Sequence, residues 1–326
     1  MKISPKIHSF HSGDGPLISA IDIGSNAIRM MVAQIQGDQF RVIKKFRSAI
    51  RLGAEVFQDG VISRENMQRV KKTFEEFSEV NRSLKVQRCR AIATSATREA
   101  KNAPDFVKFL AATGINVEVI SGDLEAKMLF KAVSHEVDLE RSKALLIDIG
   151  GGSLEVTHVE KGQILSSQSF PVGTVRLLDE LRRRKLNEAN LKILMGDFLL
   201  PLLNFFDKSV SHSPLDFAVG TGGNFEAMSH LKKHLLHKAP AQSLSLQEVS
   251  QLANRIKPMS MKDRIQKLKI RSDRADVIIP ALFLVETVLR QANCSKVLVP
   301  KVGLRDGIIL SMMEELKPAV KSEVPK

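Results

Sequence analysis

Short apolar runs that end in glycine-rich turns recur along the chain. Two of them are near copies, residues 20–26 (AIDIGSN) and residues 146–153 (LIDIGGGS). An apolar run of this length predicts a buried strand, and the small polar residues after it predict the tight turn of a hairpin. Two ordinary core hairpins are the alternative. The paired motifs instead predict a duplicated domain whose two turns face each other across a cleft.

Strand and helix patterns alternate through both halves of the chain. Met67, Val70, Phe74 and Phe77 have helical spacing, and Ser63 is placed to cap that helix. Apolar runs predict strands over 28–35, 40–46, 86–93, 115–120, 144–149, 154–159, 164–170, 217–219 and 296–299. Helices are predicted over a segment that ends at Leu110, over 123–135, over 177–208 and over most of 245–291. Alternating strands and helices with hairpin starts predict an α/β fold with mixed sheets flanked by helices.

Composition restricts the class of protein. The chain has 326 residues, enough for two domains, and its 43% hydrophobic and 26% charged residues are typical of a globular protein. No apolar run has the length of a membrane span or a signal-peptide core, so we expect a cytoplasmic protein with no membrane partner. Cys89 and Cys294 have no nearby Cys or His, so we expect small buried thiols in a reducing compartment.

The charge of the chain favours anionic ligands. A formal net charge of +13 attracts polyanions, but the absence of Trp and Tyr argues against base stacking on nucleic acid. A phosphate-rich ligand without stacked bases fits this composition better. The basic run at 182–185 and the histidines His230, His234 and His237 are predicted to lie on solvated helix faces, although the histidine spacing leaves a metal site open.

Five turns in the chain have a composition that suits anions. They lie at residues 24–26, 94–95, 121–122, 150–153 and 220–223. Several follow a predicted strand and precede a predicted helix, where backbone N–H groups and the helix dipole favour phosphate.

Six motifs in a fixed order carry a family resemblance. They are DIGSNAIR at 22–29, ATSATREAKN at 93–102, ISGDLEA at 120–126, DIGGGSLE at 148–155, GTGG at 220–223 and GLRDG at 303–307. With these motifs the chain resembles the exopolyphosphatase and guanosine pentaphosphate phosphatase family, within the actin, sugar kinase and heat-shock ATPase superfamily. The resemblance extends from about residue 18 to residue 309.

The resemblance implies a domain organisation. It implies two actin-like (ribonuclease H-like) α/β domains with mixed sheets flanked by helices and an active site in the interdomain cleft. The expected divisions are a flexible tail at 1–15, domain I at 16–124 plus 304–317, domain II at 125–303, and a disordered tail at 318–326. A homodimer is also implied. The apolar helix predicted over 277–289 belongs either to the core or to the dimer interface.

The resemblance also implies the site residues. Glu125 matches the catalytic glutamate that orients or deprotonates the attacking water, and Glu155 matches a second essential carboxylate. Asp148, with Asp22, is implied to hold Mg²⁺. The residues implied to bind phosphate are Gly24, Ser25, Asn26, Arg29, Ser95, Arg98, Gly150, Gly151, Gly152, Ser153, Gly220, Thr221, Gly222 and Gly223.

Four features depart from the family pattern. Ala27 stands where Ser is commoner, Leu124 stands where the family usually has a glutamate beside Glu125, and Lys127 stands where Arg is usual. The helical module of longer members is not expected after residue 326. Loss of a carboxylate at 124 would remove negative charge from the site and change the metal demand or the rate.

These expectations lead to a functional hypothesis with two alternatives. We expect a phosphohydrolase that releases the terminal phosphate of inorganic polyphosphate, the 5′-phosphate of guanosine pentaphosphate, or both. The first alternative is a regulatory protein that binds guanosine tetraphosphate or polyphosphate with weak or no turnover. The second is an ATP-using kinase of the same superfamily, because glycine turns alone do not exclude it.

Overall fold

The computed structural model describes residues 15–210, 214–240 and 242–316. The two tails expected at the ends of the chain lie outside the described residues, except for Gly15.

A five-stranded mixed sheet forms the first half of the molecule. Its strands are β1 (Leu17–Ile23), β2 (Ile28–Gln36), β3 (Gln39–Ser48), β4 (Arg88–Ala93) and β5 (Val117–Val119). The order across the sheet is β3-β2-β1-β4-β5. The first three strands are antiparallel, whereas β4 pairs parallel with β1 and β5 pairs parallel with β4.

A six-stranded mixed sheet forms the second half and repeats this plan. Its strands are β6 (Lys143–Ile149), β7 (Leu154–Glu160), β8 (Gln163–Phe170), β9 (Phe217–Thr221), β10 (Ser243–Ser245) and β11 (Lys296–Leu298), in the order β10-β11-β9-β6-β7-β8. Again three antiparallel strands come first, and a parallel strand, β9, then lies beside β6. The shared topology confirms the predicted α/β class with two mixed sheets.

Helices cover both sheets. They are α1 (Leu52–Asp59), α2 (Arg64–Ser83), α3 (Ser95–Glu99), α4 (Ala103–Ala111), α5 (Gly122–Glu136), α6 (Thr174–Arg183), α7 (Leu191–Ser209), α8 (Gly222–Leu231), α9 (Leu246–Ile256), α10 (Met261–Gln266), α11 (Ser272–Ala275), α12 (Ile278–Gln291) and α13 (Leu304–Leu316). Ser63 accepts a hydrogen bond from the Asn66 amide and caps α2, as its position predicts. None of the helices in the described part of the chain is both long and apolar enough to cross a bilayer.

Three helical features differ from the expectation. The helix predicted over 177–208 is divided into α6 and α7, which residues 184–190 separate. The helix expected to run to Leu110 is broken into α3 and α4, because Pro104 fits only the first turn of a helix. Helix α1 was not predicted from the sequence. It contains Gly53, a poor helix former, and its packing against the turn at Ser25 compensates.

The apolar faces form separate cores around the two sheets. Helix α12 is buried along its length within the core of the second sheet, so the core interpretation of the apolar run at 277–289 is confirmed. Helix α5 contacts both halves, because Met128 packs with β1 and α13 while Val133 packs with β6. The domain boundary predicted between 124 and 125 therefore falls inside this helix. Cys294 is buried and Cys89 is partly exposed, and both thiols are free.

Candidate active site

The two glycine turns predicted to face each other line one polar cavity. Its volume is about 290 Å³, and it lies between the first turn, after β1, and the turn after β6. Most of the predicted site residues line it. They are Asp22, Gly24, Ser25, Asn26, Arg29, Ser95, Glu125, Asp148, Gly150, Gly151, Ser153, Gly222 and Gly223. Arg98, Gly152, Glu155, Gly220 and Thr221 are not among the lining residues.

Three carboxylates converge at the cavity. Asp148 and Glu155 are cross-strand partners in the β6–β7 hairpin, and Glu125 is in the first turn of α5. One carboxylate oxygen from each lies within 4.8 Å of the others. Oε2 of Glu125 and Oε2 of Glu155 are buried and find no hydrogen-bond partner among the described residues. We call Glu125, Asp148 and Glu155 the acidic cluster.

Burial and mutual repulsion raise the pKa values of the acidic cluster. Burial and the nearby charge of Glu155 raise the pKa of Glu125 well above its usual range and that of Asp148 to about 7. Burial also raises the pKa of Glu155. Two buried carboxylates and a half-buried one at this spacing repel one another unless a proton or a cation offsets their charge. Their oxygens are the ligands that hard divalent cations prefer, so the residues present fit a metal ion.

Neighbouring residues orient the acidic cluster. The Thr221 hydroxyl donates a hydrogen bond of 2.7 Å to Oδ1 of Asp148, and the Ser169 hydroxyl donates one of 2.9 Å to Oε1 of Glu155. Gly222 has a φ of +81°, and a Cβ at that position would lie 2.8 Å from Oδ1 of Asp148. Thr221, which was expected to bind phosphate, therefore contacts the carboxylate of Asp148 directly, and the missing side chain of Gly222 leaves room for that carboxylate.

Other predicted residues support the walls of the cavity. Arg98 donates a hydrogen bond of 2.7 Å to the carbonyl of Ile120, and its Nη1 lies 3.7 Å from Oε2 of Glu125. A Cβ on Gly220 would lie 2.2 Å from the ring of Phe225, so this glycine allows close packing of β9. A Cβ on Gly152 would meet the Phe57 ring at 2.3 Å. Both glycines allow a phenylalanine ring to pack directly against the backbone.

Asp22 has a different environment from the acidic cluster. Its Oδ2 accepts a hydrogen bond of 3.0 Å from Nη1 of Arg29, and the two residues are cross-strand partners in the β1–β2 hairpin. Asp22 lies outside the group of three oxygens that converge within 4.8 Å. Its metal role stays a prediction.

Cations that sequence reasoning did not assign to the site also line the cavity. They are Lys45, Arg47, Arg271, Arg274, Lys301 and Arg305. Arg305 lies in the GLRDG motif, but its role was not assigned. The others lie outside the quoted motifs, and the only signal of their presence was the positive net charge.

Arg274 is the most buried of these cations, with 4% of its surface exposed. One nitrogen, Nη1, donates to Oδ1 of Asn224, while Nε and Nη2 find no hydrogen-bond partner among the described residues. Burial and the charges of Arg29 and Arg271 lower its pKa to about 9. A buried guanidinium with free donors and like-charged neighbours is suited to bind an anion.

Comparison with known proteins places these features in a family. Residues 31–316 match the model of the Ppx/GppA phosphatase family. A guanosine-5′-triphosphate,3′-diphosphate pyrophosphatase of Vibrio vulnificus (strain YJ016) is 26% identical over 314 residues, which are 94% of this chain and 61% of that protein. The chain thus spans about 61% of the length of this curated relative.

Two solved structures are also similar to this chain. An exopolyphosphatase from Cytophaga hutchinsonii has a TM-score of 0.82 and 26% identity, covering 92% of this chain and 99% of that one. A Ppx/GppA family member from Aquifex aeolicus shares the fold, with a TM-score of 0.74 and 24% identity over 93% of this chain and 99% of that one. The matched model, the two mixed sheets and the order of the motifs show that this chain belongs to the Ppx/GppA phosphatase family.

Proposed function

We propose that this protein is an Mg²⁺-dependent phosphohydrolase that releases the terminal phosphate of inorganic polyphosphate, the 5′-phosphate of guanosine pentaphosphate, or both. The observation that carries the proposal is the acidic cluster, which lies beside opposed glycine turns and several arginines in one cavity. The names of the relatives from Vibrio vulnificus and Cytophaga hutchinsonii agree with these two substrates.

The acidic cluster provides the metal site of this proposal. Asp148 and Glu155 would hold Mg²⁺, and Asp22 is close enough for its charge to raise the pKa of Asp148. Two orphaned carboxylate oxygens, one on Glu155 and one on Glu125, support a ligand role for this cluster. When bound, the cation would offset negative charge on the phosphoryl oxygens.

Glu125 is the proposed general base. The raised pKa of its carboxylate increases its affinity for a proton, which suits it to accept one from a water molecule. That water forms a new O–P bond with the terminal phosphorus while the P–O bond to the rest of the chain breaks. The products are phosphate and a chain one phosphoryl group shorter. Arg98, 3.7 Å from Glu125, lowers this pKa in part, and a bound cation would lower it further, which would leave the carboxylate free to accept the proton.

The cations of the cavity provide the proposed phosphate contacts. Arg29 and the backbone amides of the two glycine turns would hold the transferred phosphoryl group, whose charge is spread over its outer oxygens in the transition state. Arg274 has two nitrogens without a partner among the described residues, and they would bind the next phosphoryl group of the polyphosphate. A row of phosphoryl groups thus meets donors on both sides of the cavity.

The side chain of Leu124 does not favour the binding-only alternative. It packs against the apolar core formed with β1 and α13 and is not among the residues that line the cavity. The replacement of a glutamate at this position therefore leaves the acidic cluster with its three members.

Phosphate release from purified protein tests the proposal. We expect release with Mg²⁺ from tripolyphosphate, long-chain polyphosphate or guanosine pentaphosphate. Glu125→Gln should lower kcat at least about 100-fold, while tripolyphosphate binding measured by calorimetry changes by less than about threefold. Glu118→Gln, a matched change at an exposed ion pair with Arg90, should keep the parent rate.

Other results would point to the alternatives. Binding of guanosine tetraphosphate without phosphate release from any substrate would favour the regulatory protein. ADP formed from ATP with a sugar or acid acceptor would favour the kinase. The homodimer and the cytoplasmic location stay predictions, and light scattering of the purified protein would test the former.

A further inference from the structure

Arg51 connects the two halves of the molecule. It lies directly before α1, and its Nη1 and Nη2 donate to the two carboxylate oxygens of Asp276 at 2.6 and 2.9 Å. Nη2 also donates to the backbone carbonyl of Asp273 at 3.0 Å. A bidentate arginine–carboxylate pair restricts orientation as well as distance. Arg51 therefore holds the segment 273–276 in one position relative to the first sheet.

The same guanidinium holds the first glycine turn. Its Nε donates to Oδ1 of Asn26 at 2.7 Å, and Nδ2 of Asn26 donates to the carbonyl of Asp273 at 3.0 Å. Both polar atoms of the Asn26 side chain are thus engaged by protein groups, and the residue is 6% exposed. We call Asn26, Arg51, Asp273 and Asp276 the Arg51 network. This arrangement indicates a positioning role for the Asn26 amide.

The segment that Arg51 holds carries Arg274 into the cavity. Helix α11 has only four residues, and no side chain caps it. On one side its partners are the Arg51 network and Arg47, which pairs with the carboxylate of Asp273. On the other side Arg264 donates to the carbonyl of Ala275 at 3.1 Å. The charges of Arg29 and Arg271 repel Arg274. A short helix under this repulsion depends on its anchors for its position.

We propose that the Arg51 network couples the first glycine turn to the segment 273–276, so that Arg51 and Asp276 are positioning residues that align Arg274 with that turn. Neither side chain reaches the acidic cluster. Their effect is to set the distance between the donors of the first glycine turn and Arg274, which lie in different halves of the molecule. For the reaction itself, this inference rests on the proposed function.

Hydrogen exchange in the protein without ligand tests the coupling. Asp276→Asn changes only the second half, yet the backbone amides of residues 24–27 should exchange about tenfold faster, because Asn26 loses its ordered partner. Arg51→Met should accelerate exchange at 24–27 and at 273–276. Glu286→Gln and Arg290→Met break a similar ion pair on α12, outside the cavity, and should leave both peptides unchanged.

Kinetics with tripolyphosphate test the consequence for the site. Arg51→Met and Asp276→Asn should each raise KM about tenfold with kcat changed less than about threefold, because the acidic cluster is untouched. The double variant should be no worse than Arg51→Met alone, since Asp276 acts on the network through Arg51. Arg51→Lys keeps the charge but not the bidentate geometry and should recover only part of the affinity.

Several outcomes would overturn the coupling. Unchanged exchange at 24–27 in Asp276→Asn would contradict it, as would a double variant whose KM rises by the product of the two single effects. A fall in kcat at constant KM would assign these residues to the chemical step instead. If the parent protein releases no phosphate, the proposed function fails while the exchange measurement still decides the coupling.

Discussion

The hydroxyl of Thr221 holds the carboxylate of Asp148, with a hydrogen bond of 2.7 Å between strands β9 and β6. This bond opposes the rise in the pKa of Asp148 that burial and Glu155 cause. Thr221→Val removes the hydroxyl and keeps the shape of the side chain. We expect phosphate release at pH 7 to fall about tenfold and the Mg²⁺ concentration for half-activation to rise, because the carboxylate is ionised less often.

The pH profile provides the check on this effect. Without the hydrogen bond the pKa of Asp148 lies higher, so the deficit of Thr221→Val should shrink as the pH rises to 9, where Asp148 is ionised in both proteins. Thr221→Ser keeps a hydroxyl and should stay near the parent profile. A deficit that is the same at every pH would contradict the role of the bond.

Gly222 should not accept a side chain. Its φ of +81° strains any other residue, and a Cβ would lie 2.8 Å from Oδ1 of Asp148. Gly222→Ala is expected to lower the free energy of unfolding by about 1–2 kcal/mol and to lower the rate of phosphate release. Gly196→Ala is the control, because a Cβ at this position on α7 meets no atom of the described residues within 4 Å. It should stabilise the protein slightly in the same denaturation measurement.

Arg274 should lower the stability of the folded protein and strengthen the binding of phosphate. Its burial opposes the charged form, and two of its nitrogens find no partner within the described part of the chain. We expect Arg274→Met to raise KM for tripolyphosphate about tenfold or more, while the unfolding temperature without ligand stays equal or rises. A large fall in unfolding temperature together with an unchanged KM would indicate a structural residue.

Asp179 should make the stability depend on pH. It is 4% exposed, and burial raises its pKa to about 6 in the folded protein, above the value of about 3.9 in an unfolded chain. The folded state thus retains a proton that the unfolded state releases, and this part of the stability is lost as the pH rises from about 4 to 6. Asp179→Asn should remove about 1–2 kcal/mol of that decline, measured by urea denaturation at pH 5 and pH 7.5. An identical decline in both proteins would contradict the prediction.

Local patterns were sufficient for much of the fold. The β1–β2 and β6–β7 hairpins follow from alternating apolar runs and glycine turns, and α2 follows from its helical spacing and the Ser63 cap. These features depend on residues a few positions apart, whose propensities act before the chain is folded. Helix α1 was missed because its position depends on packing of Gly53 against Ser25. The motifs also allowed the family to be identified from the sequence.

Distances between remote residues were decided by the tertiary structure alone. The sequence by itself determined which turns have a composition that suits phosphate and which carboxylates lie next to those turns along the chain. Only folding brings Glu125 beside Asp148 and Glu155, inserts Arg274 into the cavity, and ties Arg51 to Asp276. The physical reason is that burial and charge repulsion act through space between separate elements, so neither the raised carboxylate pKa values nor the partners of an arginine can be derived from neighbours along the chain.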